Sequence, residues 1–250
     1  MPLSKNTIKW IHALRQKKYR QKYNKFIVEG DKMAMEILRQ RRWEVDRIYA
    51  LASWVRTNAS VLTLYQERLN VITEAELKKI STLKTPNQVL AVVTIDEEFL
   101  STEQWSAGKS LYLDGIQDPG NMGTILRIAD WFGLTAVFCS EDCADLYNPK
   151  VVQSSMGAFL RAPVRRIELA RLLEQAPGLP VIGAVLEGKN AFGSKLPECG
   201  LLVIGSEGKG ISPANEALLT HRLTIPGGGG AESLNAGVAC GILCAWWANG

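Results

Sequence analysis

From Ser110 onward the chain alternates short apolar runs with stretches of helical period, and this alternation constrains the fold more than any other feature. The runs at 111–113, 135–139, 181–186, 201–204 and 223–225 are too short for buried helices and read as strands. Helical spacing occupies 124–131, 151–160, 170–175 and 214–219 between them. Such a succession predicts an α/β unit with a mainly parallel sheet covered by helices. A final stretch sets Leu234, Val238, Ile242 and Trp246 four residues apart, a helical stripe suited to a core or a subunit interface.

The preceding third has its own pattern. Ile8, Ile11 and Leu14 mark one helix face, and Ala34, Ile37 and Leu38 mark a second. Residues 45–50 and 89–95 read as strands, and Thr73 with Glu76 has capping-box spacing ahead of Leu77 and Ile80. These elements predict a small α/β domain over residues 1–96. Residues 97–109, with acids, Ser101, Ser106 and Gly108, read as a linker in which Phe99, Leu100 and Trp105 are free to pack onto a neighbour. A second domain then spans 110–250, and 250 residues suffice for two cores.

Charge is distributed unevenly along the chain. The net charge of +4 conceals 12 Lys and Arg against 3 acids in residues 1–42, a balance of +9 that leaves −5 for the remainder. Lys17, Lys18, Arg20, Lys22 and Lys25 alternate with Tyr19, Tyr23 and Phe26, which combines attraction for phosphate with rings that stack on bases. RNA contact is the expectation for this segment. No apolar run reaches the length of roughly 18 residues that spans a bilayer, and the basic N-terminus lacks a signal-peptide core, so a cytoplasmic protein without membrane contact is expected. The five cysteines follow no secreted framework. Cys240 and Cys244, one turn apart in an apolar segment, are expected as core thiols. With His12 and His221 far from any paired cysteines, no metal is expected.

Three strand-to-loop segments concentrate the polar chemistry. In 114–127 a strand empties into Asp-Pro-Gly-Asn, and Asn121 stands where an N-cap leaves helix donors free. In 202–211 a second strand enters a glycine-rich loop carrying Glu207. In 225–235 a tetraglycine, Gly227 to Gly230, precedes Ser233-Leu234-Asn235. Two nucleotide motifs fail. The Gly-x-x-x-x-Gly-Lys spacing from Gly183 to Lys189 is followed by Asn190 where Ser or Thr would ligate magnesium, and its first half reads as strand. Gly120 and Gly123 do not complete a dinucleotide fingerprint.

In this order and spacing the three segments resemble the three motifs of the SpoU/TrmH family of RNA 2′-O-ribose methyltransferases, within the SPOUT superfamily. Ile8-Lys9, Leu14, Lys17-Lys18, Arg20 and Phe26-Ile27-Val28-Glu29-Gly30 are similar to the small RNA-binding domain that leads many members. The resemblance implies S-adenosylmethionine as cofactor, a C-terminal trefoil knot and a homodimer. It implies Arg127, Asn121, Glu207, Ser233 and Asn235 as catalytic residues, with the cofactor held at Gly205, Ile225 and Leu234 and lined by Val185 and Leu186. Local periodicity carries no sign of a knot, and general rules of chain topology disfavour one. Lys17, Lys18, Arg20 and Lys150 are the expected RNA contacts, Lys150 through the family-like Asn148-Pro149-Lys150 segment. Where the family continues Ser-Leu-Asn with Val-Ser, this chain has Ala236-Gly237, a glycine that costs a helix roughly 1 kcal/mol against alanine.

A guanidinium with a pKa above roughly 12 suits phosphate gripping and oxyanion stabilisation, and base action would require proton transfer concerted with attack. Ribosomal RNA is the expected substrate because the basic leading domain resembles those of rRNA-modifying members. Transfer RNA is the alternative, and a noncatalytic RNA-binding or ribosome-assembly protein that keeps the fold is the reading from another class.

Overall fold

Strands that are apolar along their length call for a sheet covered on both faces, and the second half of the chain forms a parallel one. The computed structural model describes residues 2–96 and 100–249, so Phe99 lies outside the described residues. The chain divides into two units, Met1–Glu97 with Tyr147–Gly157, and Glu98–Leu146 with Ala158–Gly250.

The first unit runs α1 (Lys5–Ala13), α2 (Lys17–Tyr23), β1 (Lys25–Glu29), α3 (Asp31–Gln40), β2 (Val45–Leu51), α4 (Ala52–Thr57), α5 (Ala59–Leu62), β3 (Leu69–Ile72), α6 (Glu74–Ile80) and β4 (Val89–Thr94). Its sheet has the order β1-β4-β2-β3, antiparallel except for β2 beside β3. Ile11 and Leu14 meet Leu77 and Ile80 over Ile27, Leu90 and Val92. The expected capping box is present, with the Glu76 amide donating to the Thr73 hydroxyl and the Thr73 amide donating to the Glu76 carboxylate. By strand alternation Phe26 points away from Ile27, and there it packs on Tyr147 with ring centroids 4.6 Å apart.

Residues 147–157 thus pack with the first unit, although a linear division assigns them to the second. The reason is local: Val151 and Val152 are buried, and their helix lies against β1. Glu29 is 5% exposed and is held by the Thr82 amide at 2.7 Å and by the hydroxyls of Ser81 and Thr82, so it ties β1 to the turn after α6.

The second unit begins within the expected linker. Ser101 and Gln104 form a capping box on α7 (Thr102–Ser106), whose Trp105 is 1% exposed and meets Phe138 edge-on at 4.9 Å. Leu100 packs against the same core cluster. The chain continues through β5 (Lys109–Asp114), α8 (Pro119–Trp131), β6 (Val137–Cys139), α9 (Pro149–Ser154, in the first unit), β7 (Val164–Arg166), α10 (Leu169–Gln175), β8 (Val181–Asn190), β9 (Gly200–Gly205), α11 (Pro213–Glu216), β10 (His221–Thr224) and α12 (Ala236–Asn249). The six strands lie in the order β10-β8-β9-β5-β6-β7 and all pair in parallel. The segment from Gly183 to Lys189 lies inside β8, as strand rather than phosphate loop.

On α12 the inward side is Cys240, Leu243, Cys244 and Trp247, all buried against α8 and β9, and the two thiols lie 3.8 Å apart. The stripe of Val238, Ile242 and Trp246 faces outward: Val238 is 50% exposed and the other two are half-buried. Gly237 has a packing role, since a Cβ there would lie 3.1 Å from Thr124 Cγ2 of α8. Among the described residues no helix is long and apolar enough to cross a membrane, and no group of three His, Cys, Asp or Glu side chains is placed to hold a metal ion.

Candidate active site

The two central strands set the site. Asp114 at the end of β5 pairs with Gly205 at the end of β9, so the loops that follow leave the sheet side by side at one level. That edge, outside the carboxyl ends of parallel strands, is where open α/β sheets gather ligands. The third loop, residues 225–235, leaves β10 at the same end and returns to start α12.

Three polar side chains, one from each loop, meet there. Asn121 Nδ2 donates to Glu207 Oε1 at 2.9 Å, and Asn235 Nδ2 donates to Asn121 Oδ1 at 2.9 Å and also to Glu207 Oε1. The Ala236 amide adds a contact to the same carboxylate oxygen at 3.4 Å. Oε1 is therefore fully engaged, whereas Oε2 has no donor among the described residues. Asn235 is in addition the N-cap of α12, its Oδ1 accepting the amides of Gly237 at 3.0 Å and Val238 at 3.2 Å.

Asn121 does not cap α8. That role falls to Asp118, whose Oδ1 accepts the Asn121 amide at 2.8 Å, with Pro119 at the first helical position where a missing N–H costs nothing. Asn121 thereby sits in the first turn with its side-chain amide free for Glu207. The Asp-Pro pair carries this signal in the sequence.

Three supports of these loops have no signal in the sequence. Asp114, 6% exposed, accepts both the amide of Ser212 at 2.7 Å and its hydroxyl at 2.8 Å, which closes the base of the Glu207 loop. Ser206 and Gly210 exchange backbone hydrogen bonds within that loop, and a Cβ on Gly205 would lie 2.1 Å from the Gly210 carbonyl carbon, so only glycine fits. Arg166 of β7 donates to the carbonyls of Ser140, Glu141, Cys143 and Ala144, and Ser140 Oγ in turn accepts the Gly115 amide at 2.9 Å. Beside this loop the Cys143 thiol is lowered to about 7, chiefly by a hydrogen bond from Cys139 and further by Ser140, the Ile116 amide and the Arg166 charge, against the opposing effect of burial.

The remaining expected residues are not in this trio. Arg127 is exposed on α8, six residues beyond Asn121, which is about 9 Å along the axis on a different helix face. Its guanidinium has no partner among the described residues, and the Ser233 hydroxyl, also exposed, has none either. Gly205, Ile225 and Val185 are half-buried, Leu234 is 44% exposed and Leu186 74%. Space for a ligand lies around the loops: a Cβ on Gly208, Gly210 or any of Gly227 to Gly230 would meet nothing within 4 Å.

In the first unit Lys17 and Lys18 are exposed, as is Lys150 at the start of α9. Arg20 departs from expectation. It is 2% exposed, and its guanidinium donates to the carbonyls of Leu14 at 2.8 Å and Arg15 at 2.9 Å, closing the end of α1 rather than facing a ligand.

The parallel sheet with its three polar loops has the fold of the SPOUT methyltransferases, by likeness to solved structures of that class. The comparisons agree. Residues 109–245 match the SpoU rRNA Methylase family, and residues 5–91 match the MRM3-like substrate binding domain. The chain is 34% identical to the 23S rRNA (guanosine(2553)-2′-O)-methyltransferase RlmP of Bacillus subtilis, over 92% of this chain and 91% of that protein. A solved TrmH-family structure from Porphyromonas gingivalis is 40% identical, with a TM-score of 0.87 over 99% of this chain and 98% of the other. The fold is shared also with AviRb of Streptomyces viridochromogenes, solved in complex with AdoMet, at 24% identity and a TM-score of 0.83 over 98% of each chain. The chain belongs to the SpoU methylase family.

Proposed function

We propose that this protein is an S-adenosylmethionine-dependent RNA 2′-O-ribose methyltransferase that acts on ribosomal RNA. The observation that carries the reading is the junction of Asn121, Glu207 and Asn235, which converts three separate loops into one polar site at the edge of the sheet. The ribosomal substrate is supported by the match to RlmP over nearly the whole of both chains and by the substrate-binding-domain match in the basic N-terminal unit.

The loops fit the cofactor. A molecule that is part nucleoside and part amino acid requires open backbone and apolar lining; Gly208, Gly210 and the glycines of 227–230 offer the first, and Ile225 after β10, Leu234 before α12 and Val185 and Leu186 on β8 offer the second. S-adenosylmethionine, when bound, supplies a methyl group on a sulfonium centre. The protein's own task is then to hold a ribose hydroxyl in line with that methyl group, and orientation of this kind provides much of a rate enhancement without a metal.

In this reading Glu207, fixed through Oε1, offers Oε2 to orient site groups or substrate, and the uncommitted hydroxyl of Ser233 lies two residues before the Asn235 cap. Arg127 carries a permanent positive charge and is free to grip the phosphate beside the target ribose and to stabilise the oxyanion that develops as the hydroxyl attacks. Because Arg127 stands off the trio in one protomer, a homodimer completes the site. The outward stripe of Val238, Ile242 and Trp246, with Phe192 packed edge-on against Trp246 at 5.7 Å, supplies apolar surface for it. Lys17, Lys18 and Lys150 supply phosphate contacts, and the protein works in the cytoplasm, where ribosomal RNA is modified.

The experiment is methyl transfer from tritiated S-adenosylmethionine to ribosomal RNA of a strain lacking the gene, with 2′-O-methyl positions mapped in that strain and its parent. One position lost on deletion and restored by the purified protein is the expected result. Transfer to the tRNA fraction alone would assign the alternative substrate, and no transfer to either, with no cofactor binding, would leave a noncatalytic RNA-binding protein.

A further inference from the structure

The basic stretch of the first unit is not a uniform charged face. Within α2 the exposed ammonium of Lys18 lies 4.9 Å from the centroid of the Tyr19 ring, and that of Lys22 lies 5.6 Å from the Tyr23 ring. The two rings, one helical turn apart, are nearly parallel, with 13° between planes and centroids 6.3 Å apart. Tyr23 is 38% exposed and Tyr19 half-buried. Each ring thus carries a cation beside it and shares one orientation with its neighbour.

The frame behind them is fixed. Arg20, between the two rings in sequence, is buried and bonded to the carbonyls that end α1, and Asn24, at a φ of 52°, closes α2 immediately before β1. A helix of seven residues has little stability of its own, so this anchoring at its middle and its C-terminal end keeps the rings in register.

Lysines alone attract any nucleic acid, because phosphate neutralisation is indifferent to strandedness. Stacking rings are different, since a base in a duplex already has both faces covered and only an unpaired base offers one.

We propose that the Lys18–Tyr19 and Lys22–Tyr23 pairs form a docking surface for unpaired nucleotides, so that the N-terminal unit selects single-stranded or loop RNA over duplex. The proposal rests on the reading of the protein as an RNA methyltransferase and specifies the RNA structure that its leading unit grips. Stacking is sequence-tolerant, so the surface contributes selection for strandedness and leaves the choice of nucleotide to the methylation site.

The test uses the full-length protein, a fluorescein-labelled unstructured RNA oligomer and a blunt RNA duplex of the same length, titrated over a range of salt concentrations. Four forms are compared: wild type, Tyr19→Leu/Tyr23→Leu, Tyr19→Phe/Tyr23→Phe, and Lys17→Gln/Lys18→Gln. The leucine variant is expected to lose at least tenfold in affinity for the single strand, with little change for the duplex and an unchanged salt slope. The phenylalanine variant retains binding, because it keeps the rings. The lysine variant weakens both ligands and flattens both slopes. Thermal melting of each variant checks that the unit is folded, and Tyr23→Leu alone, at the more exposed ring, carries the comparison if the double leucine variant is not. Equal losses on duplex and single strand, no loss in the leucine variant, failure of the folded phenylalanine variant, or wild-type preference for duplex would each overturn the proposal. Methyl transfer to ribosomal RNA, measured alongside, separates the two readings: transfer with indifferent tyrosines refutes only this inference, whereas neither transfer nor RNA binding refutes the functional reading as well.

Discussion

Asn235 joins two roles in one side chain, helix cap and hub of the polar trio, and the two can be separated by substitution. Serine is as good an N-cap as asparagine, but its hydroxyl is too short to reach Asn121 and Glu207 while it caps. Asn235→Ser therefore loses the two donations from Nδ2 and keeps the contacts to the Gly237 and Val238 amides. Asn235 and Glu207 are exposed, so each lost bond is set at the low end of the usual range, about 0.5–1 kcal/mol, and the variant is about 1–2 kcal/mol less stable. Asn235→Ala loses the cap as well, about 1 kcal/mol more. At roughly 2–4 °C per kcal/mol for a protein of this size, the serine form melts a few degrees below wild type and the alanine form a few degrees lower again. Activity is expected to follow the trio and not the cap: both variants lose methyl transfer by at least a hundredfold, measured with tritiated cofactor at a temperature where both are folded. If Asn235→Ser transferred methyl groups at near the wild-type rate while Asn235→Ala did not, capping would be the whole function of this residue.

Arg127→Ala should abolish methyl transfer while calorimetric affinity for the cofactor stays within a few fold, because the exposed guanidinium outside the trio is proposed to act on RNA and the developing oxyanion. Near-normal turnover would refute that assignment. Asp114→Ala should destabilise the protein by about 3 kcal/mol, since the amide and hydroxyl of Ser212 lose a nearly buried charged acceptor, and should lower activity through the loosened Glu207 loop. Denaturation in urea with a midpoint equal to wild type would show that the anchor is dispensable. Trp246→Glu should shift the protein toward monomer in light scattering and reduce turnover together. Trp247, buried and donating its indole N–H to the Pro197 carbonyl at 2.7 Å, is unsuited to that test because charge there unfolds the protomer. A fully active Trp246→Glu monomer would remove the dimer from the mechanism.

Local patterns in the sequence determine much of this protein. The apolar runs at 201–204 and 111–113 specify β9 and β5 because each is hydrophobic on both faces, and the Thr73 and Glu76 spacing specifies the box on α6 because capping is decided within four residues. The three polar loops could be read as one site only through resemblance, since Asn121 and Glu207 lie 86 residues apart and nothing in either loop refers to the other. Their meeting is decided by strand order, which sets β5 beside β9 with Asp114 opposite Gly205.

Tertiary structure alone also decided which charges and which segments serve the interior. Arg20 looks like its basic neighbours in sequence, yet the turn from α1 to α2 aims it at two carbonyls, and burial there removes it from any ligand. Trp105 lies in a polar stretch that reads as linker, but a short capped helix turns it into the core against Phe138. Residues 147–157 interrupt one unit to pack on another because Val151 and Val152 find their apolar partner on β1. Composition and period fix what each segment can bury; the partner against which it is buried is a property of the whole chain.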